Sequence, residues 1–190
     1  MDRKSFLKKV PVIGATAGFT LVGCNTSAGV DTTDLSGDLA ILTQAAEREA
    51  IAIKTYLTLE DFLETQTVIG TAIYFQSHHQ EHLELFNELI ASFNGNPIVL
   101  DQFSFDSRAS QVSDQESAIR LAMTLEIEAA QSYFEDAITN LSSNNAKLLM
   151  GSIYPVELSH FVTLNTSLGT STATLGSTLS EIFSDFNRVI

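Results

Sequence analysis

Residues 68–93 read VIGTAIYFQSHHQEHLELFNELIASF, and the spacing within this stretch decides the fold of the chain. Eight of its side chains recur at alternating steps of three and four residues, which places them on one face of a helix. They are Val68, Ala72, Phe75, His79, His82, Phe86, Leu89 and Phe93. The run Asn94-Gly95-Asn96-Pro97 predicts the end of this helix. The stretch therefore predicts a long helix whose inward face carries two histidines.

Three further stretches have the same periodicity and predict three more helices. Their inward faces carry Leu39, Leu42, Ala46, Glu49, Ile53 and Tyr56; Ile119, Ala122, Glu126, Ala129, Tyr133 and Ala137; and Ala146, Met150, Ile153, Glu157, His160 and Leu164. The residues Ser113-Asp114-Gln115-Glu116 resemble a capping box at the start of the third helix. Short links join helices one to two and three to four, whereas a long link, roughly residues 95–112, joins two to three. This connectivity predicts an all-α four-helix bundle over residues 36–167, with a crossover between helices 2 and 3.

The two halves of the predicted bundle repeat each other. Three carboxylate or histidine positions and one tyrosine position of the first half have counterparts 77 or 78 positions later in the second. The matched pairs are Glu49 with Glu126, Tyr56 with Tyr133, His79 with Glu157, and His82 with His160. The repeat predicts two helical hairpins built to one plan, which would place these side chains around a pseudo-twofold axis.

Six predicted inward positions carry ionisable side chains where a helix normally presents aliphatic ones: Glu49, His79, His82, Glu126, Glu157 and His160. Burying a single unpaired carboxylate costs several kcal/mol or more, against a total stability of about 5–15 kcal/mol. A divalent cation would supply the shared counter-charge. Three carboxylates and three imidazoles suit iron, manganese or zinc. Residues three apart on a helix project side by side, so Glu157 and His160 can reach one metal ion together.

At these residues the sequence resembles the ferritin-like superfamily, and it is most similar to exported bacterial ferritin-like proteins. The diiron or dimanganese sites of that superfamily use one Glu from each of two helices and a Glu-x-x-His pair from each of the other two. Glu49 and Glu126 match the single carboxylates, and Glu157-Leu158-Ser159-His160 matches one pair. The resemblance covers about residues 38–166. It implies a ferritin-like bundle with a di-metal carboxylate site.

One position departs from that pattern. His79 stands where the resemblance implies a Glu that bridges two ions, and a neutral imidazole has one free lone pair. Glu157 alone would then bridge, or the site would hold a single ion, so one or two ions are expected. Glu81 and His78 are alternatives to His79 as ligands, and Glu128, two residues from Glu126, could exchange roles with it.

The first 23 residues predict a lipoprotein signal peptide. Arg3, Lys4, Lys8 and Lys9 precede an uncharged run that ends Leu21-Val22-Gly23-Cys24, which resembles a bacterial lipobox. Cys24 would carry the lipid, and this gives the single Cys of the chain a purpose. Residues 3–8 also look like a degenerate twin-arginine signal. Residues 24–35 predict a flexible tether, and residues 168–190 a tail with a short helix near 179–186.

The charge balance excludes one class of partner. The chain has 10 Lys+Arg and 23 Asp+Glu, a net charge of -13, which argues against nucleic-acid binding. Without residues 1–23 it keeps 6 basic and 22 acidic residues, a net charge of -16, so membrane attachment would depend on acyl chains.

The sequence therefore predicts an exported, metal-binding lipoprotein of the cell envelope, either a monomer or a homo-oligomer. Its expected chemistry is oxidation of ferrous iron or removal of reactive oxygen, with no catalytic residue assigned. The alternative is a non-catalytic, envelope-anchored bundle that acts as a stress-related or partner-binding module.

Overall fold

The computed structural model describes residues 35–169, which form four long helices. They are α1 (Leu35–Leu59), α2 (Gln66–Ser92), α3 (Gln115–Glu135) and α4 (Asn144–Ser167). α1 packs chiefly against α2, and α3 packs chiefly against α4. The predicted all-α four-helix bundle with a long link between α2 and α3 is confirmed.

Several predictions concern residues outside the described range. The signal peptide over 1–23, the lipidated Cys24, most of the 24–35 tether and the tail beyond residue 169 all lie there. Among the helices between residues 35 and 169, none combines the length and hydropathy that crossing a membrane requires.

The bundle has two apolar clusters. One includes Leu42, Phe86 and Met150, and the other includes Ile69 and Ile119. Along α2, α3 and α4, the residues of the two clusters are separated by a short segment that carries buried Glu or His side chains. The apolar clusters hold the four helices together on either side of this polar layer, which fixes its depth in the bundle.

The link between α2 and α3 contains two 3₁₀ turns, Leu100–Gln102 and Ser107–Gln111. The backbone N–H of Asp106 donates to Thr55 Oγ1 of α1 at 2.8 Å, and the backbone N–H of Ile98 donates to Asn87 Oδ1 of α2 at 2.6 Å. These polar contacts fasten the link to both helices of the first hairpin.

Asn94 and Gly95 end α2. Asn94 adopts a positive φ of 60°, and the N–H of Gly95 donates to the carbonyl of Ile90 at 2.9 Å, as in a Schellman motif. A Cβ on Gly95 would lie 2.5 Å from Leu39 Cδ1, so any other residue here would force this side chain of α1 to move.

The capping box of α3 lies one residue later than the sequence indicated. Asp114 is the N-cap, and its carboxylate accepts from the N–H of Ser117 at 2.8 Å. In return, Ser117 Oγ accepts from the N–H of Asp114 at 3.1 Å. The sequence indicated Ser113 as the N-cap with Glu116 as its partner, whereas the structure pairs Asp114 with Ser117. Asp and Ser are equally good N-cap residues, so the one-residue shift keeps the capping box.

A buried carboxylate from α1 holds the start of α4. Asp38 is 1% exposed, and its two oxygens accept from the backbone N–H groups of Ser142 and Ser143 at 2.8 and 2.6 Å. These N–H groups lie where the second hairpin turns, after the π-helical turn Asp136–Asn140. Asp38 therefore joins the two hairpins at one end of the bundle.

We expect Asp38→Ala to lower the free energy of unfolding by about 2 kcal/mol, because two backbone N–H groups lose a charged acceptor. Urea unfolding followed by circular dichroism would measure the change. Asp61→Ala, at an exposed position after α1, is the matched control and should stay within about 0.5 kcal/mol of the parent. A loss for Asp38→Ala no larger than that of the control would contradict the role given to Asp38.

Candidate metal centre

Six ionisable side chains converge in the polar layer, and they are the six that the sequence predicted. They are Glu49 of α1, His79 and His82 of α2, Glu126 of α3, and Glu157 and His160 of α4. The most exposed of them, His82, is only 6% exposed. The helical periodicity therefore brings all six together at one depth.

Four of these side chains form a first group: Glu49, His79, His82 and Glu157. Glu49 Oε2 lies 2.7 Å from His79 Nδ1 and 3.7 Å from His82 Nδ1. Glu157 Oε1 lies 2.8 Å from His82 Nδ1 and 3.8 Å from His79 Nδ1. Two carboxylate oxygens and two imidazole nitrogens thus surround one point.

A second group contains His79, Glu126, Glu157 and His160. His160 Nδ1 lies 3.1 Å from Glu126 Oε2 and 3.3 Å from Glu157 Oε2. His79 Nε2 lies 3.2 Å from Glu126 Oε1. The two groups share His79 and Glu157, so the six side chains offer two adjacent positions at which a metal ion could be held.

Three atoms of the cluster are buried without a hydrogen bond to any described residue: His82 Nδ1, Glu157 Oε1 and Glu157 Oε2. His82 Nδ1 and Glu157 Oε1 approach to 2.8 Å, but they lack the alignment of a hydrogen bond. Buried polar atoms without partners are costly, and cations held at the two groups would satisfy all three. The donor atoms therefore fit a divalent transition-metal ion.

Two buried tyrosines hold the outer oxygens of the two single carboxylates. Tyr56 donates to Glu126 Oε1, and Tyr133 donates to Glu49 Oε1. Each contact leaves the second oxygen of that carboxylate directed toward the histidines. Hydrogen bonds of this kind orient the ligands of a metal site.

Burial and charge pairing shift the pKa values of the cluster in opposite directions. Burial would raise the pKa of Glu49, but His79 and His82 outweigh it and lower that pKa to about 2. Burial would lower the pKa of His82, but Glu157 and Glu49 raise it to about 9. The pKa of Glu157 itself is raised, chiefly by burial. Without metal, protons on the histidines supply the positive charge that the carboxylates require.

The comparison with protein families decides the identity of the fold. Residues 37–170 match the family model described as "Ferritin-like domain". The chain belongs to the ferritin-like family. The resemblance inferred from the sequence is thereby confirmed.

One solved structure of the same fold is a conserved hypothetical protein from Mycobacterium tuberculosis. It is 16% identical to this ferritin-like chain, with a TM-score of 0.62, and the match covers 70% of this chain and 97% of that one. At this identity the likeness concerns the fold alone. No curated protein sequence matches the chain.

The structure separates the alternative ligands from the six central residues. Glu81 is exposed, and the carboxylate of Glu128 pairs with Arg108 at 2.8 Å. Neither side chain belongs to the buried groups. His78 approaches the cluster only from outside, with its Nδ1 2.8 Å from His160 Nε2. His79, rather than His78 or Glu81, is therefore the α2 side chain that faces both groups.

Sequence reasoning missed two arginines at the edge of the cluster. The guanidinium carbon of Arg48 lies 5.4 Å from the ring centre of Tyr133. Arg108 pairs with Asp106 at 2.8 Å and with Glu128 at 2.8 Å, which joins the crossover to α3. The position of Arg48 beside Glu49 on α1 was a usable signal, whereas the contacts of Arg108 arise only when the crossover folds back.

Two cavities reach the cluster from different sides. One, of about 360 Å³, has Glu49, His79 and Tyr133 in its wall, and Arg108 also lines it. The other, of about 520 Å³, lies between α2 and α4, and His78 and His160 line it. Both cavities offer small molecules a route toward the buried side chains.

We expect the metal-free protein to be most stable between about pH 4.5 and 6.5 and less stable at pH 9. A histidine whose folded pKa is raised stabilises the fold fully below its unfolded pKa, and His82 loses this contribution as the pH rises from 6.5 toward 9. Glu49, whose folded pKa is lowered, contributes above 4.5 and loses this contribution as the pH falls toward 2. Urea unfolding in the presence of a chelator at pH 5.5 and pH 9 would measure the difference.

His82→Gln should flatten the decline between pH 6.5 and 9, because glutamine does not titrate. His78→Gln is the comparison on the same helix, outside the two buried groups. Equal stability of the parent protein at pH 5.5 and pH 9 would refute the assignment of protonated histidines to the metal-free cluster.

Proposed function

We propose that this ferritin-like protein binds one or two transition-metal ions at the six-residue cluster and uses them for redox chemistry at the cell envelope. One observation carries the proposal: two groups of four buried donor side chains share His79 and Glu157, and neither oxygen of Glu157 has a hydrogen-bond partner within residues 35–169. A structural polar core would be expected to satisfy such atoms internally.

The donor types favour iron, manganese or zinc. Three carboxylates and three imidazoles provide a mixed oxygen and nitrogen set, and calcium and magnesium prefer oxygen alone. No cysteine lies within residues 35–169, so the described residues offer this cluster no thiolate ligand. Among these ions, iron and manganese are redox-active and zinc is not.

Oxidation of ferrous iron or removal of peroxide is the proposed chemistry, in which bound iron or manganese would exchange electrons with an oxidant. The chain's own residues would orient the ligands and admit small molecules. Tyr56 and Tyr133 hold the carboxylates of Glu126 and Glu49, and the two cavities lead to the cluster. The apolar residues above and below the polar layer exclude bulk water from it.

Export and lipid anchoring belong to the same proposal. The basic residues before position 10, the uncharged run and Leu21-Val22-Gly23-Cys24 support a lipoprotein of the cell envelope. The membrane would be a partner through the acyl chains on Cys24. The strong negative charge of the remaining chain disfavours binding to nucleic acid and to anionic headgroups.

Metal should stabilise the parent protein against unfolding. At a free Mn²⁺ or anaerobic Fe²⁺ concentration about 100-fold above the dissociation constant, we expect a gain of about 2.7 kcal/mol. Glu157→Gln should abolish most of this gain, since both groups lose their shared carboxylate, yet it should fold without metal because a buried charge is removed. Thermal unfolding with and without metal would measure both effects.

Glu81→Gln is the matched control for this experiment. Glu81 lies on α2 between His79 and His82 in sequence but is exposed, so this variant should keep the full gain. A parent protein whose unfolding does not respond to metal would favour the non-catalytic, partner-binding bundle. Oxygen uptake after addition of Fe²⁺ then separates an oxidase from a protein that only holds the ion.

Cys24→Ser should release the protein from the membrane. In a bacterial host that processes lipoproteins, we expect the parent chain in the detergent-soluble membrane fraction and the variant largely outside it or unprocessed. Immunoblots of the fractions and the mass of the mature N-terminus would measure this. An unmodified Cys24 in the parent protein would refute the lipid anchor but leave the metal site untouched.

A further inference from the structure

The two ring nitrogens of His79 face different halves of the cluster. Nδ1 lies 2.7 Å from Glu49 Oε2, in the first group, and Nε2 lies 3.2 Å from Glu126 Oε1, in the second. A neutral imidazole has one lone pair and one N–H, so it can bind one ion and donate one hydrogen bond. A carboxylate at this position could serve both halves alike, and His79 cannot.

The first half offers four donor atoms at distances suited to one ion. His79 Nδ1 lies 2.7 Å from Glu49 Oε2 and 3.8 Å from Glu157 Oε1. His82 Nδ1 lies 2.8 Å from Glu157 Oε1 and 3.7 Å from Glu49 Oε2. A tetrahedron with metal–ligand bonds of about 2.0–2.1 Å has edges of about 3.3 Å. These four distances lie on both sides of that value, so small side-chain shifts would complete a four-coordinate position.

The second half offers three donor atoms when His79 binds the ion of the first half through Nδ1. His160 Nδ1 lies 3.1 Å from Glu126 Oε2 and 3.3 Å from Glu157 Oε2. The remaining oxygen of Glu126, Oε1, already accepts from Tyr56 and lies beside His79 Nε2. With Nδ1 as a ligand in the first half, the proton of the neutral ring would lie on Nε2, where it can donate to Glu126 Oε1. His79 would then support the second half as a hydrogen-bond donor and not as a ligand.

We propose that the cluster holds two unequal ions, and the inference rests on the metal binding proposed above. Glu49, His79, His82 and Glu157 form a closed position for a resident ion. Glu126, Glu157 and His160 form an open position for a second, exchangeable divalent ion, and Glu157 bridges the two. Positions with four protein ligands retain their ion, whereas positions with three keep a site for an incoming ligand.

Titration of the metal-free, full-length chain with Co²⁺ tests this inference, with a chelator as competitor and visible absorption as the readout. We expect two steps. The first should give the intense visible bands of four-coordinate Co²⁺. The second should be at least about tenfold weaker in affinity and should add only the weak bands of higher coordination, because solvent completes the open position.

Two isosteric variants separate the positions. Glu126→Gln should remove the second step and leave the first within about threefold of the parent affinity. Glu49→Gln should weaken the first step by at least about tenfold and remove its intense bands. Glu81→Gln, the exposed neighbour on α2, should leave both steps unchanged.

His79→Glu tests the cause of the inequality. A carboxylate in place of the imidazole can serve both halves, so the affinities of the two steps should converge and the intense bands should weaken. Circular dichroism of each variant would establish that the helices are retained, so that a lost step reports a lost ligand.

Several outcomes would overturn the unequal pair. These are two steps of equal affinity in the parent, a single ion whose affinity falls equally in Glu49→Gln and Glu126→Gln, or a His79→Glu variant with steps as far apart as in the parent. In each case metal binding itself would stand. A parent chain that binds no Co²⁺ and is not stabilised by Mn²⁺ or Fe²⁺ would instead overturn the proposed function.

Discussion

Glu157 lies fully buried in α4, and its two oxygens face histidines in different halves of the cluster, 2.8 Å from His82 Nδ1 and 3.3 Å from His160 Nδ1. Removing a carboxylate from water costs several kcal/mol unless charge and hydrogen bonds replace the solvent. The protein gives this carboxylate positive neighbours but no directed hydrogen bond among the described residues. Each of the remaining five side chains belongs to a buried group that includes Glu157, so each lies where a cation beside Glu157 would be shared.

Protons and metal ions would compete for the same atoms of the cluster. In the metal-free cluster the carboxylates raise the pKa of His79 well above its ordinary value and that of His82 to about 9, in spite of burial. Imidazole binds a metal ion only through a lone pair, so the proton must leave when the ion arrives. The charge of the carboxylates can therefore be balanced in either state: imidazolium groups balance it without metal, and divalent ions would balance it with metal.

The sequence predicted the depth of the site in the bundle better than it predicted the choice of ligand on α2 or the ion pairs around the site. Periodicity placed Glu49, Glu126 and their partners on the inward faces of their helices, because it follows from helix geometry alone. The repeat of 77 or 78 residues then placed them in one layer. The ferritin-like match over residues 37–170 agrees with that reasoning. The choice between His78 and His79 depended on a rotation of about 100° per residue, which helix packing settles. The pairing of Arg108 with Glu128 could not be foreseen, because a crossover without periodicity fixes it.

The two hairpins complete each other's half of the site. Tyr56 of the first hairpin donates to Glu126 of the second, and Tyr133 of the second donates to Glu49 of the first. Each carboxylate also contacts a histidine of its own hairpin, but the tyrosine contact to its other oxygen forms only when the hairpins dock. The full ligand geometry is therefore a property of the whole bundle. The pseudo-twofold symmetry is broken at one pair of positions, where His79 of the first hairpin corresponds to Glu157 of the second. The fold thereby offers one carboxylate that could bridge two ions instead of two such carboxylates, and this difference is the physical basis for the unequal positions proposed above.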